Sequence, residues 1–239
     1  MSKVTDFVER VKTERDAQIL VAGILFFTIA FPVAFASAAS GVESAGLSAV
    51  GDYVVNGEVE TILLEEGGEY IQDGDEWPVS QTSDAVRDEI ATAGGNVVGV
   101  RITLTYDEDE TASGASCGVV GGSAAADTIT ATLEHNEMTE SGSGENPGSH
   151  TVDLTWVNLS LLDEEVISGM SGSDIAEDLT AGDAGLGAYD IVIGVTAAAG
   201  NAPSPLCSRS DNGEDVSWTI ELLVLDFTVA PYIDVDATL

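Results

Sequence analysis

Residues 97–106 repeat with a period of two, and this pattern constrains the fold more than any other feature of the chain. Every second residue of this segment is large and apolar: Val98, Val100, Ile102, Leu104 and Tyr106. Successive side chains of a β-strand point to opposite faces, so this period predicts a strand with one face in a core. A sheet packed on at least one side is therefore expected.

The same alternation recurs along the chain, which is predicted to be mainly β after residue 52. Strands are expected at 53–64, 97–106, 128–135, 150–159, 188–196 and 216–227. The last strand becomes apolar on both faces after Leu222, which indicates a bulge or a central position. A short helix capped by Ser83 is expected over 83–93, and residues 161–187 are expected to form a long acidic loop that contains one helical turn. Six to nine antiparallel strands predict one β-sandwich, immunoglobulin-like or jelly-roll-like.

An apolar run over residues 17–36 follows a basic segment that holds four of the seven bases of the chain. Twenty such residues are long enough to cross a bilayer, and a basic flank favours the cytoplasmic side. The sequence thus predicts a single-pass protein of the cell membrane with its C-terminal domain outside. The expected parts are a cytoplasmic tail (1–16), a transmembrane α-helix (17–37), a flexible linker (38–52) and an extracytoplasmic β-sandwich domain (53–239).

Cleavage of this segment as a signal peptide is the alternative. Ala34-Phe35-Ala36 and Ala36-Ser37-Ala38 both fit the small-x-small pattern of a cleavage site. The N-terminal region, however, is long and carries as many acids as bases, and the apolar run is longer than a usual signal core. These features favour a retained anchor.

The acidic balance of the exterior excludes one class of partner. The whole chain has a formal net charge of −35, and Arg87, Arg101 and Arg209 are the only bases after residue 16. Such a surface repels phosphate backbones, so nucleic-acid binding is not expected. Self-repulsion opposes compaction in dilute salt and is screened in concentrated salt. Abundant Asp and Glu with scarce Lys resembles the composition of proteins from salt-adapted archaea.

Residues 15–19, Arg-Asp-Ala-Gln-Ile, resemble the processing site of archaeal pilins and archaellins. In those proteins a charged leader precedes an apolar helix and a β-rich head. The likeness departs at Asp16, where the family has a small residue. It implies a surface-filament subunit as the alternative to a cell-surface binding or structural module.

Two cysteines, Cys117 and Cys207, lie in loops rich in Gly, Ser, Ala and Pro. An even pair in a translocated domain predicts a disulfide. Closing a loop of about 90 residues contributes on the order of 4–5 kcal/mol in the chain-entropy model.

Clusters of carboxylates are the candidate metal ligands, and Asp107, Asp109, Asp211 and Asp215 are the residues selected. Carboxylate-rich turns suit hard cations such as Ca²⁺, although none here has the EF-hand spacing. No cofactor is otherwise expected. Asn158-Leu159-Ser160 is a glycosylation sequon, so Asn158 is a candidate acceptor.

No catalytic residue is predicted, and the chain is not expected to be an enzyme. Ser116 sits in a G-x-S-x-G match, but it lacks the strand before and the helix after that a nucleophile elbow needs. His135 and His150 are interpreted as solvated loop residues. The expected partners are the membrane, through the N-terminal helix, and other cell-surface proteins or further copies of the chain.

Overall fold

The structure is a computed structural model that describes residues 47–115, 117, 122–202 and 205–233. The predicted tail, the predicted span at 17–37 and most of the predicted linker lie outside these residues. Within the described ranges, no helix is both long enough and apolar enough to cross a membrane. The first strand begins at Val50, three residues before the expected start of the domain.

Alternation of side chains produces two antiparallel sheets. The five-stranded sheet has the order β7-β3-β11-β1-β8 and the four-stranded sheet the order β2-β9-β5-β6. A short ribbon pairs β4 with β10. The strands are β1 (Val50–Gln72), β2 (Glu76–Thr82), β3 (Val97–Tyr106), β4 (Thr111–Ser113), β5 (Thr128–His135), β6 (Met138–Glu145), β7 (Gly148–Thr155), β8 (Ile167–Ser171), β9 (Ala188–Thr196), β10 (Ser208–Ser210) and β11 (Gly213–Pro231).

The core lies between the inward faces of the two sheets. Four members of the apolar set of β3, from Val100 to Tyr106, are buried in one cluster with Ile129 and Leu133 of β5 and Ile191 and Ile193 of β9. Val98 is buried outside this cluster, and Val97, which the alternation places on the outer face, belongs to it. The outward positions of β3 carry an exposed ion pair, with Arg101 and Asp153 of β7 joined at 2.7 Å. Two sheets that share one core form a β-sandwich, which confirms the predicted class.

The C-terminal strand shows why its sequence becomes apolar on both faces. Residues 222–225 of β11 are all buried, and the register with β3 shifts between Leu223 and Val224. The extra residue lies in β3, because Leu223 pairs with Gly99 and Val224 with Val97. Leu222 and Val224 of β11 therefore stay in the core cluster, while Leu223 and Leu225 are buried outside it. Of the two predicted causes, the central position of β11 in its sheet explains why both of its faces are apolar.

The strand β6 and the segment after Leu162 differ from the sequence-based expectations. Residues 138–145 form β6, although their Ser, Gly and Glu content predicts a loop. Asn136 and Glu137 both have positive φ, as a two-residue hairpin requires, and this turn sets the register of β6 on β5. The expected loop at 161–187 contains a strand that was not predicted, β8, and its expected helical turn is present as the helix Gly172–Asp178.

The helix expected over 83–93 is present in two parts. A 3₁₀ turn, Ser83–Val86, leads into an α-helix, Arg87–Thr92. Thr82, rather than the predicted Ser83, caps it by accepting a hydrogen bond from the backbone N–H of Asp84. Gly94 and Gly95 end the segment with positive φ, as glycine permits.

The described residues separate into two compact units. The larger consists of Val54–Ile167 and Ile175–Val229 and contains the core and the site described below. The smaller consists of the described part of Met1–Tyr53, Ser168–Asp174 and the described part of Ala230–Leu239. In this smaller unit Ser168 Oγ donates to Asp52 Oδ1 at 2.6 Å.

Candidate functional site

Two inward-facing positions at one end of the sandwich carry acids instead of apolar residues. Glu214 lies in phase with Val216 and Trp218 on β11, and Asp127 precedes β5 in phase with Ile129. Period-two geometry therefore directs both carboxylates toward the core face. Both residues are 0% exposed. The apolar core thus ends in buried carboxylates.

Asn146, in the turn between β6 and β7, joins these two acids. Its Nδ2 donates to Glu214 Oε2 at 2.6 Å and to Asp127 Oδ2 at 3.3 Å. Its Oδ1 accepts the backbone N–H of Asp127 at 2.6 Å. The other oxygen of Asp127, Oδ1, accepts the backbone N–H of Ala198 at 2.7 Å. Carboxylate and amide groups therefore hold together the ends of five strands: β5, β6, β7, β9 and β11.

A third buried acid, Glu110, connects the neighbouring loops. Its side chain is 0% exposed and forms an ion pair with Arg209, with Nη1 3.3 Å from Oε2. Its oxygens also accept backbone N–H groups, from Gly200 at 2.8 Å and from Ala125 at 3.2 Å. The carboxylate is thus fully engaged, as a buried charge requires.

Four carboxylates at this end of the sandwich repel one another. We call them the acidic cluster: Asp109, Asp127, Asp211 and Glu214. Burial, together with the charges of Asp109 and Asp127, raises the pKa of Glu214 to about 7, against the opposing effect of the Asn146 hydrogen bond. Burial, and then the charge of Asp211, also raises the pKa of Asp109 and of Asp127. Ionising the whole cluster is therefore unfavourable without a counter-charge.

Tyr70, near the end of β1, borders the acidic cluster. Its side chain is 41% exposed. Burial of the phenol and the charges of Asp109, Asp211 and Asp215 raise its pKa. An aromatic ring with an accessible face next to carboxylates offers both stacking and hydrogen-bonding contacts to a ligand.

Three of the four predicted metal ligands come together here. The charges of Asp211 and Asp215 both raise the pKa of Asp109. Asp107, in contrast, is exposed directly after β3. Sequence reasoning missed Asp127 and Glu214, although extending the strand alternation by one step would have found them. Within the described residues, no three His, Cys, Asp or Glu side chains are already arranged to hold a metal ion.

The predicted disulfide is confirmed. Cys117 and Cys207 are bonded, with their Cα atoms 4.9 Å apart. The bond lies beside the ribbon of β4 and β10, where Ser113 Oγ and Ser208 Oγ are 2.9 Å apart. This crosslink ties the β3–β5 connection to the β9–β11 connection next to the Glu110–Arg209 pair.

The interpretation of both histidines as solvated is wrong. His135 is 2% exposed because it ends β5 on the inward face. Its ring stacks on Tyr189 at 4.6 Å, and its Nδ1 lies 2.8 Å from the carbonyl of Ala188. His150 is half-buried, with Nδ1 2.9 Å from Tyr106 Oη, and burial lowers its pKa. Ser116 lies outside the described residues.

Asn158 occupies an exposed turn after β7, not the end of a buried strand. Its Oδ1 accepts a hydrogen bond from Ser160 Oγ at 2.7 Å, within its own sequon. The side chain on which a glycan would be placed is therefore accessible.

No protein-family model matches the chain, and no curated protein matches it in sequence. Among solved structures it is similar to TmCBM61 in complex with β-1,4-galactotriose, with a TM-score of 0.26, 10% identity, and coverage of 80% of this chain and 94% of that one.

Two viral structures are also similar. Mud crab tombus-like virus gives a TM-score of 0.25 at 9% identity, covering 77% of this chain and 86% of that one. Tobacco necrosis virus gives a TM-score of 0.19 at 12% identity, covering 72% of this chain and 97% of that one. Because these TM-scores are so low, the similarities assign neither a fold family nor a ligand to this chain.

Proposed function

We propose that this chain is a membrane-anchored extracellular β-sandwich, adapted to salt, that acts without catalysis as a cell-surface binding or structural module. Residues 17–37 serve as the anchor and residues 1–16 face the cytoplasm. The partners are other cell-surface proteins or further copies of the chain. The acidic exterior selects cationic and strongly hydrated partners over polyanions.

The position of the acidic cluster along β1 is the observation that supports this proposal. The chain enters the larger unit at Val54, at the start of β1. The cluster lies at the other end of that strand, where the backbone N–H of Asp73 donates to the carbonyl of Asn212 at 2.9 Å. An extended strand rises about 3.3 Å per residue, so these points are roughly 60 Å apart along β1. An anchor joined to the N-terminal side of β1 would therefore be separated from the cluster by most of the length of this strand.

Fractionation of cells that express the full chain tests the anchor. The protein should stay in the membrane pellet through alkaline carbonate extraction, and protease added to intact cells should digest its β-sandwich. Leu25→Arg places a charge in the middle of the span, where it costs several kcal/mol, and should release the chain from the pellet. Ser44→Arg, outside the span, is the matched control. Recovery of the unaltered chain in the carbonate supernatant would contradict the proposal.

Glycosylation of Asn158 belongs to the same proposal, because only a translocated domain meets the transferase. Its support is the exposure of the side chain and the intact sequon. Mass spectrometry of peptides cleaved after glutamate, which releases residues 146–164, should find a glycan on Asn158 in the protein from its native host and none in Ser160→Ala. If the Asn158 peptide were found only in its unmodified form, glycosylation would be excluded. The anchor proposal would not be affected.

A further inference from the structure

Two buried carboxylate oxygens, one in the turn before β11 and one in the first residues of that strand, have no hydrogen-bond partner. They are Oε1 of Glu214 and Oδ2 of Asp211. Glu214 is 0% exposed, and its other oxygen is already taken by Asn146. Buried polar atoms in folded proteins almost always have a partner. Two such oxygens, three residues apart and within one group of acids, therefore indicate a missing ligand.

The ligand must be positive, because the acidic cluster has no base to neutralise it. Only three bases follow residue 15 in the sequence, and each is paired elsewhere. Arg87 pairs with Asp84, Arg101 with Asp153 and Arg209 with Glu110. The charges of Asp109 and Asp211 thus act on Asp127, and those of Asp109 and Asp127 act on Glu214, with no base among them.

The donor set selects the kind of cation. All the available atoms are oxygens, which excludes a preference for soft metals. Mg²⁺ demands a rigid octahedron, whereas Ca²⁺ accepts six to eight oxygens in flexible geometry, including backbone carbonyls and water. No three acidic side chains of the described residues converge on one point. The cation that suits this donor set is therefore a large one, which takes two carboxylates from the protein and completes its coordination shell with carbonyls and water.

We propose that Glu214 and Asp211 bind one Ca²⁺ ion, with Asp109 and Asp127 contributing charge around it. The ion joins the start of β11 to the connections before β4 and β5. Through Asn146 it also fixes the turn between β6 and β7. This site goes beyond the proposed function and does not depend on whether the chain is anchored.

Melting of the full chain in neutral detergent at pH 7.5 tests the site. Ionic strength is held constant with KCl while CaCl₂ replaces EDTA. About 1 mM Ca²⁺, in the range of extracellular modules, should raise the melting temperature by several degrees and then saturate. Glu214→Gln and Asp211→Asn should each remove most of that rise. Glu164→Gln, an exposed acid in another loop, is the matched control and should keep it.

Terbium supplies a readout that does not depend on stability. Tyr70 lies within electrostatic range of Asp109, Asp211 and Glu214, so its excitation should sensitise Tb³⁺ bound at the site, and Ca²⁺ should displace the signal. Tyr70→Phe should lose most of the luminescence and keep the Ca²⁺-induced rise in melting temperature. The proposal is overturned if Ca²⁺ has no effect at constant ionic strength, or if Glu214→Gln and Asp211→Asn respond like the unaltered chain. Absence of a Ca²⁺ response would mean that a proton on Glu214, shared with Asp127, satisfies the pair instead.

Discussion

At the scale of single residues, the buried acids are the least expected part of the molecule. Glu214 and Asp127 occupy positions that the strand pattern reserves for apolar side chains, and each is fully buried. A buried carboxylate is costly unless it is neutralised or paired. Their position at the end of the core, joined by Asn146, makes this end of the sandwich sensitive to anything that binds a carboxylate, including a proton.

Replacing Glu214 by Gln should flatten the dependence of stability on pH in the presence of EDTA. Burial raises the folded-state pKa of Glu214 from 4.5 to about 7. The folded state therefore holds the proton more tightly than the unfolded state, and its free energy of unfolding falls as the pH rises from 4.5 through 7. The loss is on the order of 3 kcal/mol. Gln carries no titrating proton and should be free of this loss.

Thermal melts of the two proteins between pH 4.5 and 8 measure this effect. The unaltered chain should lose on the order of 5–10 °C more than Glu214→Gln over that window. Glu164→Gln serves as a control and should follow the unaltered chain. Parallel melting curves for all three proteins would show that Glu214 does not hold a proton in the folded state.

At the scale of elements, alternation predicts the central strands well, because both of their faces leave a clear signal. The observed β3, β5 and β9 have the predicted bounds, 97–106, 128–135 and 188–196. Edge strands leave less signal. The strand β6 consists of Ser, Gly, Glu, Met and Thr, and its pairing comes from the two-residue turn and the neighbouring β5. Propensity alone cannot reveal a strand that its partner imposes.

The glycines of β6 have a packing role that a strand-propensity argument overlooks. A Cβ atom on Gly144 would lie 2.0 Å from Tyr106 Oη and 2.8 Å from His150 Nδ1. Those two atoms are hydrogen-bonded to each other at 2.9 Å. Glycine at this position therefore lets β6 approach the side chains of β3 and β7 closely.

Gly144→Ala should destabilise the chain by about 1–3 kcal/mol, the usual cost of overpacking. The new methyl group must displace Tyr106 or His150 and break their hydrogen bond. Ser143→Ala, at the exposed neighbouring position, is the matched control and should change stability by less than about 0.5 kcal/mol. Denaturant unfolding compares the two. Equal midpoints for both variants would show that the close approach of β6 has no energetic weight.

At the scale of the whole molecule, charge imbalance dominates. A net charge of −35 on 239 residues, with all three bases after residue 15 already paired, leaves most carboxylates facing one another through solvent. The sequence predicts this balance completely, because it requires only counting. The place where the charge accumulates could not be predicted from the sequence, because Asp109, Asp127 and Glu214 come from distant segments of the chain.

Screening should therefore stabilise the full chain. The Debye length falls from about 10 Å at 0.1 M salt to about 3 Å at 1 M. The melting temperature, measured in neutral detergent with EDTA, should rise between 0.05 and 3 M KCl, and NaCl should act in the same way. A melting temperature that stays constant over this range would show that the acidic surface acts only through hydration.

The central claim is that an N-terminal anchor holds an extracellular β-sandwich at the cell surface, and the N-terminus of the mature protein tests it most directly. N-terminal sequencing and intact mass should be obtained on the chain isolated from membranes of its native host. We expect residues 17–36 to be present in the mature chain. A mature N-terminus at Ser37 or Ala39 would contradict the anchor, and one between Asp16 and Gln18 would instead indicate a processed filament subunit.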